Sequence, residues 1–314
     1  MNILVTGANG QLGRCIRDQV KSLNETENKY IYTDAIEAAD TLDTTEYLDI
    51  VDEEEVKKFV KNNHINVIIN CAAYTNVDKA ENDYEDAEAI NAIAPRNLAE
   101  AALSVGAKLI HISTDYVFNG QTFFPYNEER MTLPISVYGK TKAMGEEFIQ
   151  QSGCKYLIFR TAWLYSEYGN NFAKTMLRLF GDKEEINVVN DQIGTPTYAG
   201  NIAELIVKIC ECMTPLEGKE TIPLLENGIY HFTDEGVCSW YDFAEYIYEL
   251  WSNKYRGLVK INGVTTKEYG SKTKRPYYSV LDKTKYKTTF KGLYMPKHWH
   301  YGVQIVLEKL LNNQ

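Results

Sequence analysis

A chain of 314 residues with 44% hydrophobic content can bury a sizeable core, as one large domain or two closely joined ones. Its formal net charge of −10 argues against a general nucleic-acid or anionic-membrane surface, leaving only local basic patches open. No apolar stretch approaches the roughly 18 residues that span a bilayer, and the chain opens on a strand rather than a basic-plus-apolar leader. Six scattered cysteines without a C-x-x-C pair read as reduced, mostly buried thiols, so a cytoplasmic location is expected. The five histidines show no metal-ligand spacing, and no metal site is expected.

The first element is the apolar run Ile3–Val5, followed by Gly7, Gly10 and Gly13 and then by an amphipathic run through Leu12, Cys15, Ile16 and Val20. Strand, glycine turn and helix in that order suit a dinucleotide pyrophosphate. Glycines allow close backbone approach, and the helix N-terminus offers free N–H groups to the phosphates. Next, Tyr30-Ile-Tyr-Thr-Asp34 reads as a second strand ending in a carboxylate, about 20 residues on, where such units place an acid on the adenosine ribose. Strands follow at 67–73, 109–114 and 156–161, with helices at about 52–62, 85–105 and 138–152 between them. That alternation implies right-handed crossovers and a parallel sheet. Ile186–Asn190 and Gly228–Phe232 are expected to extend the sheet, each followed by a helix, near 198–213 and 239–251. The stretch 267–297 carries nine lysines and arginines against Glu268 and Asp282, either a solvated surface or an anion site. Within it Arg275, beside Pro276 and a tyrosine pair, is the best ligand candidate.

Tyr138-Gly-Lys-Thr-Lys142 sets a tyrosine and a lysine four apart at a helix start, hence on one face. Ser113-Thr114-Asp115 stands where the fourth of these strands ends, the edge at which open α/β sheets bind ligands. With 23 tyrosines, about one or two Y-x-x-x-K matches arise by chance, but this is the sole one here and it follows a glycine loop. The grouping suits ketone reduction. Hydride delivery creates an alkoxide that needs a proton; a tyrosine with pKa near 10 is a poor acid, and a neighbouring ammonium lowers that value by about 1–3 units. Thr114 would polarise the carbonyl, Tyr138 would donate the proton, and Lys142 would hold the phenolate and the nicotinamide ribose.

These residues resemble the extended short-chain dehydrogenase/reductase superfamily and, within it, the dTDP-4-dehydrorhamnose reductases. The most specific pieces are Gly7–Gly13, Ala72–Glu81, Ser113–Phe118, Tyr138–Glu146, Arg160–Tyr165 with Gly169–Arg178, and Asp191–Thr197. The resemblance implies an α/β fold: a Rossmann-type doubly wound parallel sheet with a smaller, discontinuous C-terminal substrate-binding domain. Residues 1–160 and about 186–213, with 239–251, are expected in the dinucleotide-binding domain; about 161–185 and 214–314 are expected in the other. It implies reduction of the C4 ketone of a dTDP-linked sugar by NADPH or NADH. By the same resemblance, Gly7, Gly10, Gln11, Leu12 and Gly13 would meet the pyrophosphate and Asp34 the ribose. Asp49 and Ile50 would flank adenine, and Ala73, Tyr74 and Thr75 would line the cofactor cleft. Thr114, Asp115 and Trp163 would face the sugar. Some members dimerise through magnesium held by glutamates, but the matching positions here are Cys15 and Gly200. The metal-bridged dimer therefore does not carry over, and a monomer is expected. Two other readings stay open: another nucleotide-sugar reductase, epimerase or dehydratase on this scaffold, and a noncatalytic reductase-like regulatory subunit.

Overall fold

The computed structural model describes residues 1–35, 44–213, 226–255 and 257–312. The chain begins with β1 (Asn2–Thr6), the glycine turn and α1 (Gln11–Ser22), then β2 (Lys29–Asp34), β3 (Thr45–Tyr47) and α2 (Glu53–Asn62). β4 (Val67–Asn70) leads into α3 (Val77–Ala80), α4 (Tyr84–Glu88), a π-helical turn at Ala89–Ile93 and α5 (Ala94–Val105). β5 (Lys108–Thr114), α6 (Val137–Gln151) and β6 (Lys155–Thr161) complete this half. All these strands pair in parallel, in the order β6-β5-β4-β1-β2-β3. β4 is buried along its whole length, as a parallel strand covered on both faces must be. Strand order reverses between β1 and β4, which opens the ligand crevice at their C-terminal ends.

The expected helix at 85–105 is broken by the π turn, for a reason written in its residues. Pro95 has no N–H for the carbonyl of Asn91, four residues earlier. Gly145 of α6 packs onto that carbonyl instead; a Cβ there would lie 2.2 Å from Asn91 O.

The second half carries β7 (Leu164–Tyr165), α7 (Phe172–Asp182), β8 (Glu185–Val189), β9 (Ile193–Gly194), β10 (Thr197–Tyr198) and α8 (Ala199–Met213). β11 (Gly228–His231), β12 (Cys238–Ser239), α9 (Trp240–Ser252), β13 (Lys260–Val264), α10 (Thr266–Tyr269), α11 (Thr284–Thr289) and α12 (Trp299–Asn312) follow. β11 adds to the sheet beside β6, as expected of Gly228–Phe232. Ile186–Asn190 does not extend it: β8 pairs with β13 in a separate two-stranded sheet. Its alternation, with Glu185 and Asn187 exposed and Ile186 and Val188 buried, fits a strand with one wet face rather than a doubly covered one.

Helix α8 packs on α1 in a core with β1 and β4, whereas α9 does not join that layer. Phe243, Ala244, Ile247 and Trp251 of α9 share a separate core with Phe180, Ile186, Trp299 and Val303. Of the segments expected in the nucleotide-binding layer, 186–190 pairs with β13 and 239–251 packs in this separate core. We propose a division in which 1–160, α8 and β11 form the nucleotide-binding unit, and α7, β8, α9, β13 and α12 form the second unit; 214–225 lie outside the described residues.

Candidate active site

At the crevice, Gly7 has φ +64, and a Cβ on it would lie 2.5 Å from Ala72 N. The loop after β1 thus lies directly on the loop after β4, which a side chain would prevent. Gly13 is as tight, with a Cβ 2.5 Å from Ala8 Cα and Gly7 O. Gly10 caps α1 with no side chain over its end, Gln11 and Leu12 open the helix, and its first turn holds no acid. These features fit an anion approaching the helix N-terminus. Gln11 Oε1 also accepts from Ser166 Oγ at 3.1 Å and Asn171 Nδ2 at 3.0 Å, tying this turn to the second unit.

Asp34 ends β2 and accepts from the Asn9 N–H at 3.0 Å, so it braces the glycine loop from the end of that strand. Asp49 accepts from the Val51 N–H at 2.9 Å in the turn after β3, and Ile50 is buried beside it. Ala73, Tyr74 and Thr75 follow β4 along the crevice. Tyr74 exchanges two bonds with the Asn91 amide, 2.9 Å from its N–H and 3.0 Å to its carbonyl. Asn91 further reaches Thr141 Oγ1 at 3.3 Å, linking this loop to α6. No motif in the sequence singles out Asn91, although Pro95 four residues on marks its freed carbonyl.

Ser136 caps α6 by accepting from the Gly139 N–H at 3.1 Å, which places Tyr138 and Lys142 in its first turns facing β5. Thr114, at the end of β5, donates to Asp115 Oδ1 at 2.9 Å and accepts from the Tyr116 N–H at 3.2 Å. Burial pushes the Tyr138 phenol up to about 12, against a hydrogen bond with Thr114 that lowers it, while the Asp115 charge raises it. The ring meets Tyr116 edge-on, centroids 5.4 Å apart. Asp115 is 1% exposed, and burial lifts its carboxyl to about 6.

Lys142 shares the tyrosine's face, as the spacing requires, but its amine is engaged elsewhere. Nζ donates to the Ile112 carbonyl at 2.6 Å and lies 3.3 Å from His111 Nε2. Burial pushes it down to about 8, opposed by Glu146. In this position Lys142 is not among the groups that shift the Tyr138 phenol. Glu146, one turn further, is clamped by Arg160 of β6 at 2.9 and 2.6 Å and receives Ser113 Oγ. No spacing in the sequence announces this buried pair, whose members lie on α6 and β6.

Trp163 adopts φ +49, a strained conformation for a bulky residue, and stacks on Trp240 with centroids 3.6 Å apart. Gly194 makes room for it; a Cβ there would come 2.6 Å from the indole. Arg275 reaches the cleft rim, pairing with Asp78 at 2.7 Å, bonding to Ser271 Oγ and approaching Tyr116. Lys272 and Lys274 are exposed, whereas Lys283 is buried against Thr233 and the Asp234 carbonyl. Cys15 lies inside the α1–α8 contact, and Gly200 in α8 is pressed against the Tyr198 ring. Neither position supplies an oxygen ligand, and the described residues contain no group of three His, Cys, Asp or Glu that could hold a metal ion.

The family model described as RmlD substrate binding domain matches residues 1–312. A dTDP-4-dehydrorhamnose reductase of Aggregatibacter actinomycetemcomitans is 40% identical over 96% of this chain and 97% of its own length. The Escherichia coli K12 protein of that name is 38% identical over 99% and 98%. A solved dTDP-4-dehydrorhamnose reductase from Clostridium acetobutylicum superposes with TM-score 0.85 at 42% identity, covering 99% of this chain and 100% of that one. One from Bacillus anthracis, in complex with NADP, superposes with TM-score 0.82 at 37% identity, covering 98% and 99%. With the family model running almost end to end and these relatives matched over nearly their whole length, the chain belongs to the dTDP-4-dehydrorhamnose reductase family.

Proposed function

We propose that this protein reduces the C4 ketone of dTDP-4-dehydro-L-rhamnose to dTDP-L-rhamnose, using NADPH or NADH. The observation that carries the reading is the convergence of Thr114 and the Tyr138 phenol at the sheet's C-terminal edge, beside a helix N-terminus cleared by glycines. The residues present fit a dinucleotide: Gly7, Gly10, Gln11, Leu12 and Gly13 would hold its pyrophosphate, and Asp34 its ribose. Asp49, Ile50, Ala73, Tyr74 and Thr75 would line the rest of its cleft. When bound, the nicotinamide supplies the hydride. Thr114 polarises the sugar carbonyl, and Tyr138 donates a proton to the oxygen as it becomes an alkoxide. With its phenol near 12, Tyr138 is a poor acid at rest, so Lys142 must leave Ile112 and set a positive charge beside the phenol. Asp115 and Trp163 face the sugar. No helix among the described residues is long and apolar enough to cross a membrane. We assign the protein to the cytoplasm as a monomer, without a bridging magnesium and without nucleic-acid or membrane partners.

The decisive test is NAD(P)H oxidation with a panel of nucleotide 4-keto-sugars. Stoichiometric oxidation with dTDP-4-dehydrorhamnose supports the reading. Conversion without net oxidation would make the protein an epimerase or dehydratase, and no conversion at all would leave the regulatory-subunit reading.

On cofactor choice, Asp34 repels a 2′-phosphate, while the Arg17 guanidinium interacts favourably with the Asp34 charge and offsets part of that repulsion. The expected result is use of both cofactors. A kcat/KM preference beyond about 100-fold, ~2.7 kcal/mol, would contradict it.

For the substrate diphosphate, Arg275 is the proposed partner, since its planar guanidinium binds phosphate oxygens in pairs. Arg275→Ala should raise KM for the nucleotide sugar about tenfold or more, ~1.4 kcal/mol, with cofactor KM nearly unchanged. Wild-type KM in that variant would return the basic stretch to a solvated surface.

A further inference from the structure

Behind the cleft, a chain of buried polar groups dictates where its protons sit. The Ala72 N–H, which can only donate, meets Asn70 Oδ1 at 3.1 Å. The same oxygen accepts the Thr6 hydroxyl at 2.8 Å. The amide orientation is therefore settled, and Asn70 Nδ2 faces His111 Nδ1 at 3.1 Å. An NH2 group can only donate, so Nδ1 is the bare nitrogen and a neutral ring carries its proton on Nε2. That nitrogen lies 3.3 Å from Lys142 Nζ. An N–H pointed at an ammonium would set two donors against each other. An uncharged amine resolves the conflict: its lone pair accepts the imidazole N–H while it still donates to the Ile112 carbonyl at 2.6 Å.

The surroundings agree. His111 is fully buried and Lys142 is 2% exposed, and burial disfavours the charged form of each, His111 well below its ordinary value and Lys142 down to about 8. The ionisable groups around the amine are few. Glu146 of α6 is already bound by Arg160 of β6, Tyr138 holds its proton, and Asp115 accepts the Thr114 hydroxyl. Glu146 favours the charged amine, but its carboxylate is already engaged by Arg160, and burial outweighs it.

We propose that His111 is a positioning residue that parks Lys142 as an uncharged amine against the Ile112 carbonyl, so that Lys142 takes a proton from solvent when it turns to the cofactor. This rests on the reading of Lys142 as the residue that meets the cofactor ribose and the phenol. Parking keeps a charge out of the core until it is needed, and it leaves Tyr138 a weak acid until the cofactor is in place.

Three measurements test the proposal. In nitrogen-15-labelled free enzyme, long-range proton–nitrogen spectra should show His111 protonated on Nε2 alone; a proton on Nδ1 overturns the parking. Next, NADPH is titrated calorimetrically at about pH 9 in buffers of different ionisation enthalpy, using Tyr138→Phe protein so that no phenol proton enters the count. Uptake of about one proton per site is expected, whereas a lysine titrating near 10.4 would already be charged and take up almost none. Uptake below about 0.2 protons overturns the parking. The same holds if His111→Leu keeps the full uptake, since burial alone would then account for it. Finally, Lys142→Met should weaken NADPH binding at least about tenfold. Unchanged affinity in that variant would instead overturn the underlying role of Lys142, whatever the spectra of His111 show.

Discussion

Tyr138→Phe is expected to lower turnover by about 10²–10⁴-fold while NADPH affinity stays within about twofold. The substitution keeps the ring and its edge-on contact with Tyr116 and deletes the hydroxyl beside Thr114 that we propose gives the alkoxide its proton. Lys142→Ala should depress both rate and cofactor binding, because that side chain is assigned two tasks. Steady-state kinetics beside a direct binding titration separate the two patterns. A phenylalanine variant that turns over like wild type would remove Tyr138 from the mechanism.

Glu146→Ala should cost about 3–5 kcal/mol of stability, the largest single loss we expect in this fold. Both carboxylate oxygens are engaged by Arg160, at 2.9 and 2.6 Å, and both side chains are 3% exposed. Without Glu146 the guanidinium stays buried with the Phe118 ring and a neutral His231 as neighbours, and neither carries a negative charge to balance it. Urea unfolding reads the loss directly. The double variant Glu146→Ala, Arg160→Met should recover much of it, because the cost is that of an uncompensated charge. A single variant within about 1 kcal/mol of wild type would mean that water reaches Arg160.

Much of the nucleotide-binding half was legible because its determinants are local. The run Ile3–Val5, the Gly7–Gly13 spacing and Asp34 each declare a strand, a turn or a strand end through nearest-neighbour backbone constraints. The same holds for Tyr138 and Lys142, whose four-residue separation places them on one helical face whatever surrounds them. Asn91 was legible in principle, through Pro95, but its amide bonds to Tyr74 and Thr141 join residues 17 and 50 positions away, and no local pattern announces such pairings.

Ile186–Asn190 and the helix at 239–251 are legible in the sequence as elements, but their packing partners are not. Packing chose those: the half-wet alternation of β8 suits β13, and the aromatic face of α9 found Phe180 and Trp299.

By itself, then, the sequence determined the strand–glycine–helix opening, the hydroxyl at the end of β5 and the Tyr138–Lys142 face, since each follows from spacing along the backbone. Only the tertiary structure decided which way the Lys142 amine points, what holds Arg160, and which residues brace the cleft. Those depend on buried donors and acceptors from distant strands, and inside a desolvated core each such group must find its partner wherever the fold brings one within reach.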